Sequence, residues 1–196
     1  MSALAALVRA LTGVQGLWQG VAPEPRQRIY FANHSSHLDS LVLWATIPAP
    51  LRSRVRPAAA KDYWCHGLRA RVARHFGAVL IERQRGDPQH DPLAPLIEAL
   101  AQGDSLILFP EGTRNPEGEL QPFKSGLYRL AQQHPQVELV PVYLENLHRI
   151  LPKGYFLPVP LTGAVVFGAP IQLGQDEPKQ AFLERARDAV LALRRS

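Results

Sequence analysis

The sequence predicts an α/β fold in which helices flank a mostly parallel central sheet. Short apolar runs that fit β-strands alternate with segments of helical periodicity, and this alternation is typical of parallel sheets whose strands are joined by helices. Apolar residues make up 46% of the 196 residues and charged residues 20%, which is a globular composition for a chain of about one domain. No internal repeat or low-complexity segment interrupts the alternation.

Each expected element follows from its local pattern. Runs rich in β-branched, aromatic or alternating apolar residues predict strands at 28–32, 55–60, 77–82, 105–110, 138–144 and 164–168. Apolar residues at a spacing of three or four predict helices at about 37–46, 62–75, 91–102, 124–133 and 178–195. The last helix carries Phe182, Ala186, Val190 and Leu193 on one face, so that face is expected to pack on the core.

The first 24 residues are expected to form an N-terminal helix ahead of a single domain at 25–196. Apolar residues recur there at roughly helical spacing: Leu4, Leu7, Val8, Leu11, Val14 and Trp18. No apolar run reaches the ~20 residues needed to cross a bilayer, and no charged segment precedes this stretch as it would in a signal peptide. Two placements of the helix stay open, one flat on a membrane surface and the other packed on the domain.

Positive charge is concentrated in one segment of the chain. The net charge is +5, and between Arg52 and Arg85 there are nine Lys or Arg residues against two acidic ones. This segment is either a solvated face or a surface for phosphate groups. Nucleic acid is not the expected partner, because no nucleic-acid-binding motif accompanies the charge. The single Cys65 excludes an intrachain disulfide and is expected only to pack.

The stretch ANHSSHLDS after the first predicted strand contains several groups that can do chemistry. His34, His37 and Asp39 have the side chains of a metal site, but the other histidines show no paired ligand spacing. His34 and Asp39 also fit a general-base pair, in which a carboxylate on Nδ1–H leaves Nε2 free to take a proton. The two meet only if a turn leads into the next helix. Otherwise Asp39 is a first-turn acid, with Asn33 or Ser36 as the helix cap.

The tetrapeptide GDSL at 103–106 looks like a signature of lipases and esterases. In those enzymes the serine follows a strand and opens a helix, whereas here it precedes a predicted strand. The Asp-x-x-His near the C-terminus and the G-x-S-x-G elbow are also missing. The tetrapeptide is therefore interpreted as an ordinary turn into a strand.

Five short blocks occur in order along the chain: NHSSHLD, GAVLIER, FPEGTRN, PFKSG and VPV. Their order and spacing resemble the glycerolipid acyltransferase family, which includes the lysophosphatidic acid acyltransferases. The family's H-x4-D block is similar to NHSSHLD, and its FPEGTR block matches residue for residue. Its Gly…Phe-Ile-Asp-Arg block is matched with conservative departures at Leu80 and Glu82. The resemblance covers about residues 28 to 172 and identifies 25–196 as an acyltransferase domain.

The resemblance implies a reaction and roles for the central pair. His34 would be the general base that takes a proton from an acceptor hydroxyl, and Asp39 would orient and stabilise the imidazolium. The hydroxyl oxygen would attack the thioester of acyl-CoA or acyl carrier protein, without an acyl-enzyme, metal or cofactor. The expected acceptor is lysophosphatidic acid, giving phosphatidic acid. Alternatives are another lysolipid, an amino-acid lipid, or a catalytically silent lipid-binding protein of the same fold. His37 falls at a variable position of the motif.

The resemblance also implies a phosphate-binding set: Lys61, Arg83, Glu111, Gly112, Thr113 and Arg114. Glycine lets backbone N–H groups approach an anion, and the guanidinium of Arg114 suits phosphate, although each arginine also fits a surface ion pair. Glu111 either positions the substrate or holds the loop. Many family members carry membrane-buried helices before the H-x4-D block, whereas only 33 residues precede His34 here. Peripheral attachment to the anionic cytoplasmic face of the membrane is therefore expected, through the first helix, the basic segment and the loop at 151–160.

Overall fold

The computed structural model describes residues 3–36, 38–65, 67–82, 91–115, 119–145 and 163–195, which form one sheet with helices around it. The strands are β1 (Gln15–Trp18), β2 (Arg28–Ala32), β3 (Val55–Ala60), β4 (Val79–Ile81), β5 (Ser105–Leu108), β6 (Glu138–Glu145) and β7 (Ala164–Phe167). The helices are α1 (Ala3–Thr12), α2 (Asp39–Thr46), α3 (Ala49–Arg52), α4 (Lys61–Trp64), α5 (Gly67–His75), α6 (Ala94–Ala101), α7 (Gly126–Gln133) and α8 (Lys179–Leu191).

The sheet is mostly parallel, as predicted. Its strand order is β1-β7-β6-β2-β5-β3-β4, and the only antiparallel neighbours among these strands are β6 and β7. All residues of the central strands β2 and β5 are buried. Continuous apolar strands of this kind are covered by helices on both faces of a parallel sheet.

Two apolar clusters lie on opposite faces of the sheet, because successive side chains of a strand point to opposite sides. In β2, Tyr30 packs with α1, α2 and α5 on one face. Phe31 packs with α6, α7 and α8 on the other face. The predicted inner face of α8 is confirmed for Phe182, Ala186 and Val190, which are fully buried, whereas Leu193 lies beyond the end of the helix and is only partly buried.

The prediction of one N-terminal helix over residues 1–24 is wrong beyond Thr12. Gly13 adopts a left-handed conformation (φ 61°) and its N–H donates to Arg9 O, which is a common way for a helix to end. The chain then forms β1, which pairs in parallel with β7 at the edge of the sheet. Trp18 stacks on Phe167 there, with ring centroids 3.9 Å apart.

One face of α1 packs on the domain and another remains exposed. Ala5, Val8 and Thr12 are buried, and the helix contacts α2. Leu7 and Leu11 are 54% and 53% exposed. No helix within the described residues is long and apolar enough to span a membrane.

Other differences from the sequence predictions are local. The helix predicted at 62–75 is divided into α4 and α5, and α3 was not predicted. Arg52, at the end of α3, is not part of a phosphate-binding surface: it is buried, and its guanidinium donates to the carbonyls of Ala45 and Ile47. The turn interpretation of GDSL is confirmed, because Ser105 starts β5 and its Oγ accepts the backbone N–H of Arg28 at 3.0 Å.

Candidate active site

The candidate residues lie at the carboxyl ends of four neighbouring parallel strands: β2, β5, β3 and β4. Each candidate follows the carboxyl end of its strand, where α/β proteins bind ligands. Continuing the strand registers past these ends places four residues at about the same level: His34, Glu111, Lys61 and Glu82. Neighbouring strands are about 4.8 Å apart. These four residues therefore form a row roughly 15 Å long across the carboxyl ends of the strands.

His34 and Asp39 are in contact. Their Nδ1 and Oδ2 atoms are 2.9 Å apart, and Asp39 is fully buried as the first residue of α2. The same Oδ2 accepts the backbone N–H groups of Ser35 at 2.7 Å and Ser36 at 2.8 Å. The carboxylate thus fixes the turn between β2 and α2, which brings residues five positions apart together.

This contact determines the tautomer of the neutral imidazole. A carboxylate only accepts hydrogen bonds, so Nδ1 of His34 carries the proton and Nε2 is left as the acceptor nitrogen. The ring also stacks on Phe109, with centroids 4.2 Å apart and planes inclined by 20°. Its side chain is 16% exposed. The imidazole is therefore held on two sides and remains accessible.

Glu111 ties the FPEGTR loop to His34. Its side chain is buried, and its two carboxylate oxygens accept the backbone N–H groups of His34 at 2.6 Å and Gln121 at 2.9 Å. The N–H of Asn115 donates to His34 O at 2.8 Å. Burial raises the pKa of Glu111, and the two backbone N–H groups oppose that rise. Of the two predicted roles, these contacts favour holding the loop.

The next three residues of the loop form its outer part. Gly112 has φ +70°, a left-handed conformation that favours glycine, and Thr113 and Arg114 are exposed. The side chain of Lys124 lies across Gly112: a Cβ built on Gly112 would be 2.6 Å from Lys124 Nζ. A glycine at this position therefore also leaves room for the lysine.

Lys61 forms an ion pair with Glu82 at the ends of β3 and β4. Hydrogen bonding to Glu82 raises the pKa of Lys61. A phosphate that binds Lys61 would share this ammonium with the carboxylate. Arg83 and His37 lie outside the described residues, as does the loop at 151–160.

Two further residues belong to this region but were not among the sequence candidates. Asn33 is buried, and its side-chain amide pairs with both the N–H and the carbonyl of Leu144 on β6. It therefore anchors β2 beside the site and is not a helix cap. Lys124 is the second residue. Both lie in the quoted blocks NHSSHLD and PFKSG, which was the signal available in the sequence.

Comparison with known proteins gives the family. The family model described as Acyltransferase matches residues 19–145. The chain is 33% identical over 162 residues to a 1-acyl-sn-glycerol-3-phosphate acyltransferase of Limnanthes alba, with 80% of this chain and 55% of that protein covered. It is 30% identical over 125 residues to 1-acyl-sn-glycerol-3-phosphate acyltransferase alpha of Homo sapiens, with 63% and 42% covered. The chain thus spans about half the length of the curated relatives it matches.

A solved structure shows the same fold. The crystal structure of the 1-acyl-sn-glycerophosphate (LPA) acyltransferase PlsC from Thermotoga maritima aligns with a TM-score of 0.70 and 22% sequence identity. The alignment covers 98% of this chain and 81% of that one. Since the family model matches well over half of the residues, the chain belongs to the acyltransferase family.

Proposed function

We propose that this protein transfers a fatty acyl group from a thioester, carried by coenzyme A or acyl carrier protein, to the hydroxyl of lysophosphatidic acid. The product is phosphatidic acid, so the reaction belongs to phospholipid synthesis. The observation that carries the proposal is the hydrogen bond between His34 Nδ1 and the buried Asp39 carboxylate at the carboxyl end of the sheet. The names of the relatives, which are acylglycerol-phosphate acyltransferases, support the choice of acceptor.

The proposed mechanism is direct transfer. His34 Nε2 accepts the proton of the acceptor hydroxyl while its oxygen attacks the thioester carbonyl. A C–O bond forms, the C–S bond breaks, and the sulfur leaves with the proton that the imidazolium returns. Asp39 stabilises the imidazolium through the 2.9 Å contact. A positioned base of this kind accelerates a reaction by about 10²–10⁴. The mechanism uses no metal, no cofactor and no acyl-enzyme.

The acceptor phosphate is proposed to bind beside this pair. Arg114, Lys61 and Arg83 supply positive charge, and the backbone around Gly112 and Thr113 offers N–H groups to an anion. Arg114 and Thr113 are exposed, and so are accessible to a lipid head group. Glu111 is proposed to hold the loop through the backbone of His34 rather than to bind the anionic substrate itself.

Contact with the membrane is proposed to be peripheral and on the cytoplasmic face. The exposed Leu7 and Leu11 of α1 support contact with a membrane surface, and so does a shallow groove between α1 and α5. The groove is lined by Ala3, Leu4, Arg71, Val72 and His75. Apolar side chains next to cationic ones are typical of surfaces that bind anionic lipid.

Liposome co-sedimentation tests the membrane proposal. Binding to anionic vesicles is expected to weaken with salt, because surface charge is screened beyond ~10 Å at 0.1 M ionic strength. Leu7→Asp should reduce binding more than Ala10→Asp, which adds the same charge at an exposed position without removing a leucine. Binding that resists high salt and carbonate and yields only to detergent would contradict the peripheral arrangement.

A panel of acceptors tests the reaction. Purified protein is incubated with lysophosphatidic acid, other lysolipids and amino-acid lipids, each with acyl-CoA and with acyl carrier protein as donor. Mass spectrometry then identifies the products. Phosphatidic acid should form from lysophosphatidic acid at the highest rate. A different acylated lipid would identify another acceptor, and no product with any pair would favour a silent lipid-binding protein.

A further inference from the structure

The block PFKSG has a defined position but no assigned role. Phe123 is buried and packs edge-to-face against Phe31 of the core, with ring centroids 6.3 Å apart. The backbone N–H of Lys124 donates to Pro110 O at 2.8 Å, at the start of the loop that Glu111 ties to His34. The backbone of Lys124 is therefore fixed against the loop.

The side chain of Lys124 lies over the loop itself. A Cβ on Gly112 would be 2.6 Å from Nζ, 2.9 Å from Cδ and 3.0 Å from Cε of Lys124. Real Cβ atoms essentially never approach this closely, so a side chain at position 112 would displace the flexible end of Lys124 from this position. The ammonium group consequently sits against the Gly112 backbone, between the two points where the loop is bonded to His34.

Lys124 and Lys61 differ in whether their ammonium groups form an ion pair. Lys61 is paired with Glu82. Across the described ranges Lys124 forms no ion pair, and its side chain is exposed. The attacking hydroxyl of a lysophosphatidic acid is joined to its phosphate by only a short chain of covalent bonds. Lys124 lies across the loop that is bonded to His34, so its ammonium is better placed for that phosphate than Lys61, whose strand is two strands away, at roughly 10 Å.

We propose that Lys124 binds a substrate phosphate, and that Gly112 leaves the space in which this ammonium lies across the loop. The inference rests on the proposed acyl transfer and names a binding residue for it. Two substrates carry phosphate, the acceptor lipid and the coenzyme A donor, and both offer the same chemistry to an ammonium group. The acceptor is the expected source, because the lysine lies against the loop whose Glu111 bonds the backbone of His34, the proposed base for the acceptor hydroxyl.

Steady-state kinetics with paired substrates tests the proposal. Acceptors with and without phosphate (lysophosphatidic acid and monoacylglycerol) are each combined with donors with and without phosphate (acyl-CoA and acyl-N-acetylcysteamine). Lys124→Ala should lower kcat/KM for lysophosphatidic acid about 10-fold or more with either donor, mainly through KM. Monoacylglycerol acylation should change less than about 3-fold. Lys179→Ala, which removes an exposed lysine at the start of α8, is the matched control and should change neither.

The pattern of losses separates the outcomes. A loss that follows the donor's phosphate supports phosphate binding and moves its source to coenzyme A. Equal losses with all four pairs, or none, overturn the proposal. Lys124→Arg, which keeps the charge, should retain more activity on lysophosphatidic acid than Lys124→Ala.

Gly112→Ala gives an independent test. The added methyl group takes the space of the lysine stem, so this variant should reproduce the acceptor-selective loss of Lys124→Ala. The double variant should then lose little more than the worse single variant, since both changes remove one interaction. Losses that multiply would overturn the link between the two residues. Circular dichroism checks that Gly112→Ala folds, because alanine is strained at φ +70°.

A binding measurement decides the inference even if acyl transfer fails. Glycerol 3-phosphate is the probe and glycerol its phosphate-free control, with thermal unfolding as the readout. Glycerol 3-phosphate should raise the Tm of the wild-type protein and of Lys179→Ala, and raise that of Lys124→Ala clearly less. Equal shifts in all three proteins, or no shift in the wild type, overturn the proposal. Absence of product from the lipid panel would instead contradict the proposed function.

Discussion

The two ends of the parallel sheet hold buried charge in different ways. At the amino end, Arg28 at the start of β2 pairs with Glu138 at the start of β6 at 2.8 Å. Arg56 of β3 pairs with Asp104, just before β5, at 2.9 Å. At the carboxyl end, the buried carboxylate of Asp39 accepts an imidazole and two backbone N–H groups instead.

The ion pairs at the amino end are suited to stabilising the fold, and the imidazole–carboxylate pair at the carboxyl end is suited to proton transfer. A guanidinium keeps its proton at any physiological pH, so the amino-end pairs fix strands and exchange no protons. At Glu138, partial burial alone would raise the pKa, but hydrogen bonds from Arg28 and Arg26 keep it below its ordinary value. The imidazole of His34, held by the Asp39 carboxylate, has a free nitrogen that can act as a general base. The carboxyl end is thus the part of the sheet where proton transfer is expected.

Hydrogen bonding at the carboxyl end of the sheet is also less complete. Asp39 Oδ1 is buried and accepts no hydrogen bond from the described residues. A buried carboxylate oxygen without a donor lowers stability, and such groups concentrate at functional sites. The comparison therefore predicts that substitutions at the carboxyl end mainly reduce activity, whereas substitutions at the amino end mainly reduce stability.

The largest effect is expected from His34→Ala. Removing the base should lower kcat for acyl transfer by about 10²–10⁴, with the fold retained. Asp39→Asn should also be severe, because an amide cannot stabilise the imidazolium and allows the wrong tautomer. The measurement is steady-state acyl transfer, with circular dichroism to check folding.

His37→Ala is the matched control for the base and should cost far less than His34→Ala. If both histidines prove equally important in folded protein, and a chelator abolishes activity, the metal interpretation replaces the general base.

The next effect concerns the amino end. Arg28→Ala should lower the free energy of unfolding by about 3 kcal/mol, because Arg28 is 2% exposed and its loss leaves a partly buried carboxylate. Activity of the folded variant should stay within about 3-fold of wild type. Urea unfolding and acyl transfer measure the two quantities.

Arg26→Ala is the control for Arg28. Its guanidinium bonds the same carboxylate at 3.0 Å but is 62% exposed, so its loss should destabilise the protein much less. If Arg28→Ala abolished acyl transfer without lowering stability, the division between the two ends would be wrong.

A smaller, substrate-dependent effect is expected from Arg114→Ala. If Arg114 binds the acceptor phosphate, the variant loses a charge-assisted interaction of about 1.5–3 kcal/mol, or roughly 10–150-fold in kcat/KM for lysophosphatidic acid. The loss should be smaller with monoacylglycerol, and rates with both acceptors measure it. The same loss with both acceptors would identify a structural arginine.

The smallest expected effect is a pH dependence of stability due to Glu177, which belongs to neither end of the sheet. Hydrogen bonds from Arg185, then from the Gly174 N–H, lower the pKa of Glu177 to about 2. A lowered carboxylate pKa adds stability above the unfolded value of about 4.3, and this gain is lost as pH falls towards 2. Glu177→Gln should therefore be less stable than wild type at pH 7, by about 0.2–1 kcal/mol because water screens the pair.

The difference between Glu177→Gln and wild type should shrink on acidification below about pH 4.3. Urea unfolding at several pH values measures it. Glu184→Gln is the matched control, because its carboxylate, on α8, accepts a hydrogen bond from the uncharged Gln180 amide and not from a guanidinium. A constant difference between pH 7 and pH 2.5 would contradict the assigned pKa.

The sequence by itself determined the local elements and the composition of the site. Strands β2 and β3 begin and end at the predicted residues, because a short continuous or alternating apolar run favours a buried strand. The blocks NHSSHLD and FPEGTRN follow two of the predicted strands, so the sequence alone predicts that they lie at strand ends. These are properties of neighbouring residues in the chain.

Only the tertiary structure decided how distant segments meet. Strand β1 has four residues and no period of its own, and it exists because β7 pairs with it and Phe167 stacks on Trp18. Glu111 meets His34 because β2 and β5 are neighbours in the sheet, and Lys124 reaches Gly112 because its backbone bonds Pro110. Such contacts depend on strand order and on side-chain space across the fold, which local patterns of polarity do not specify.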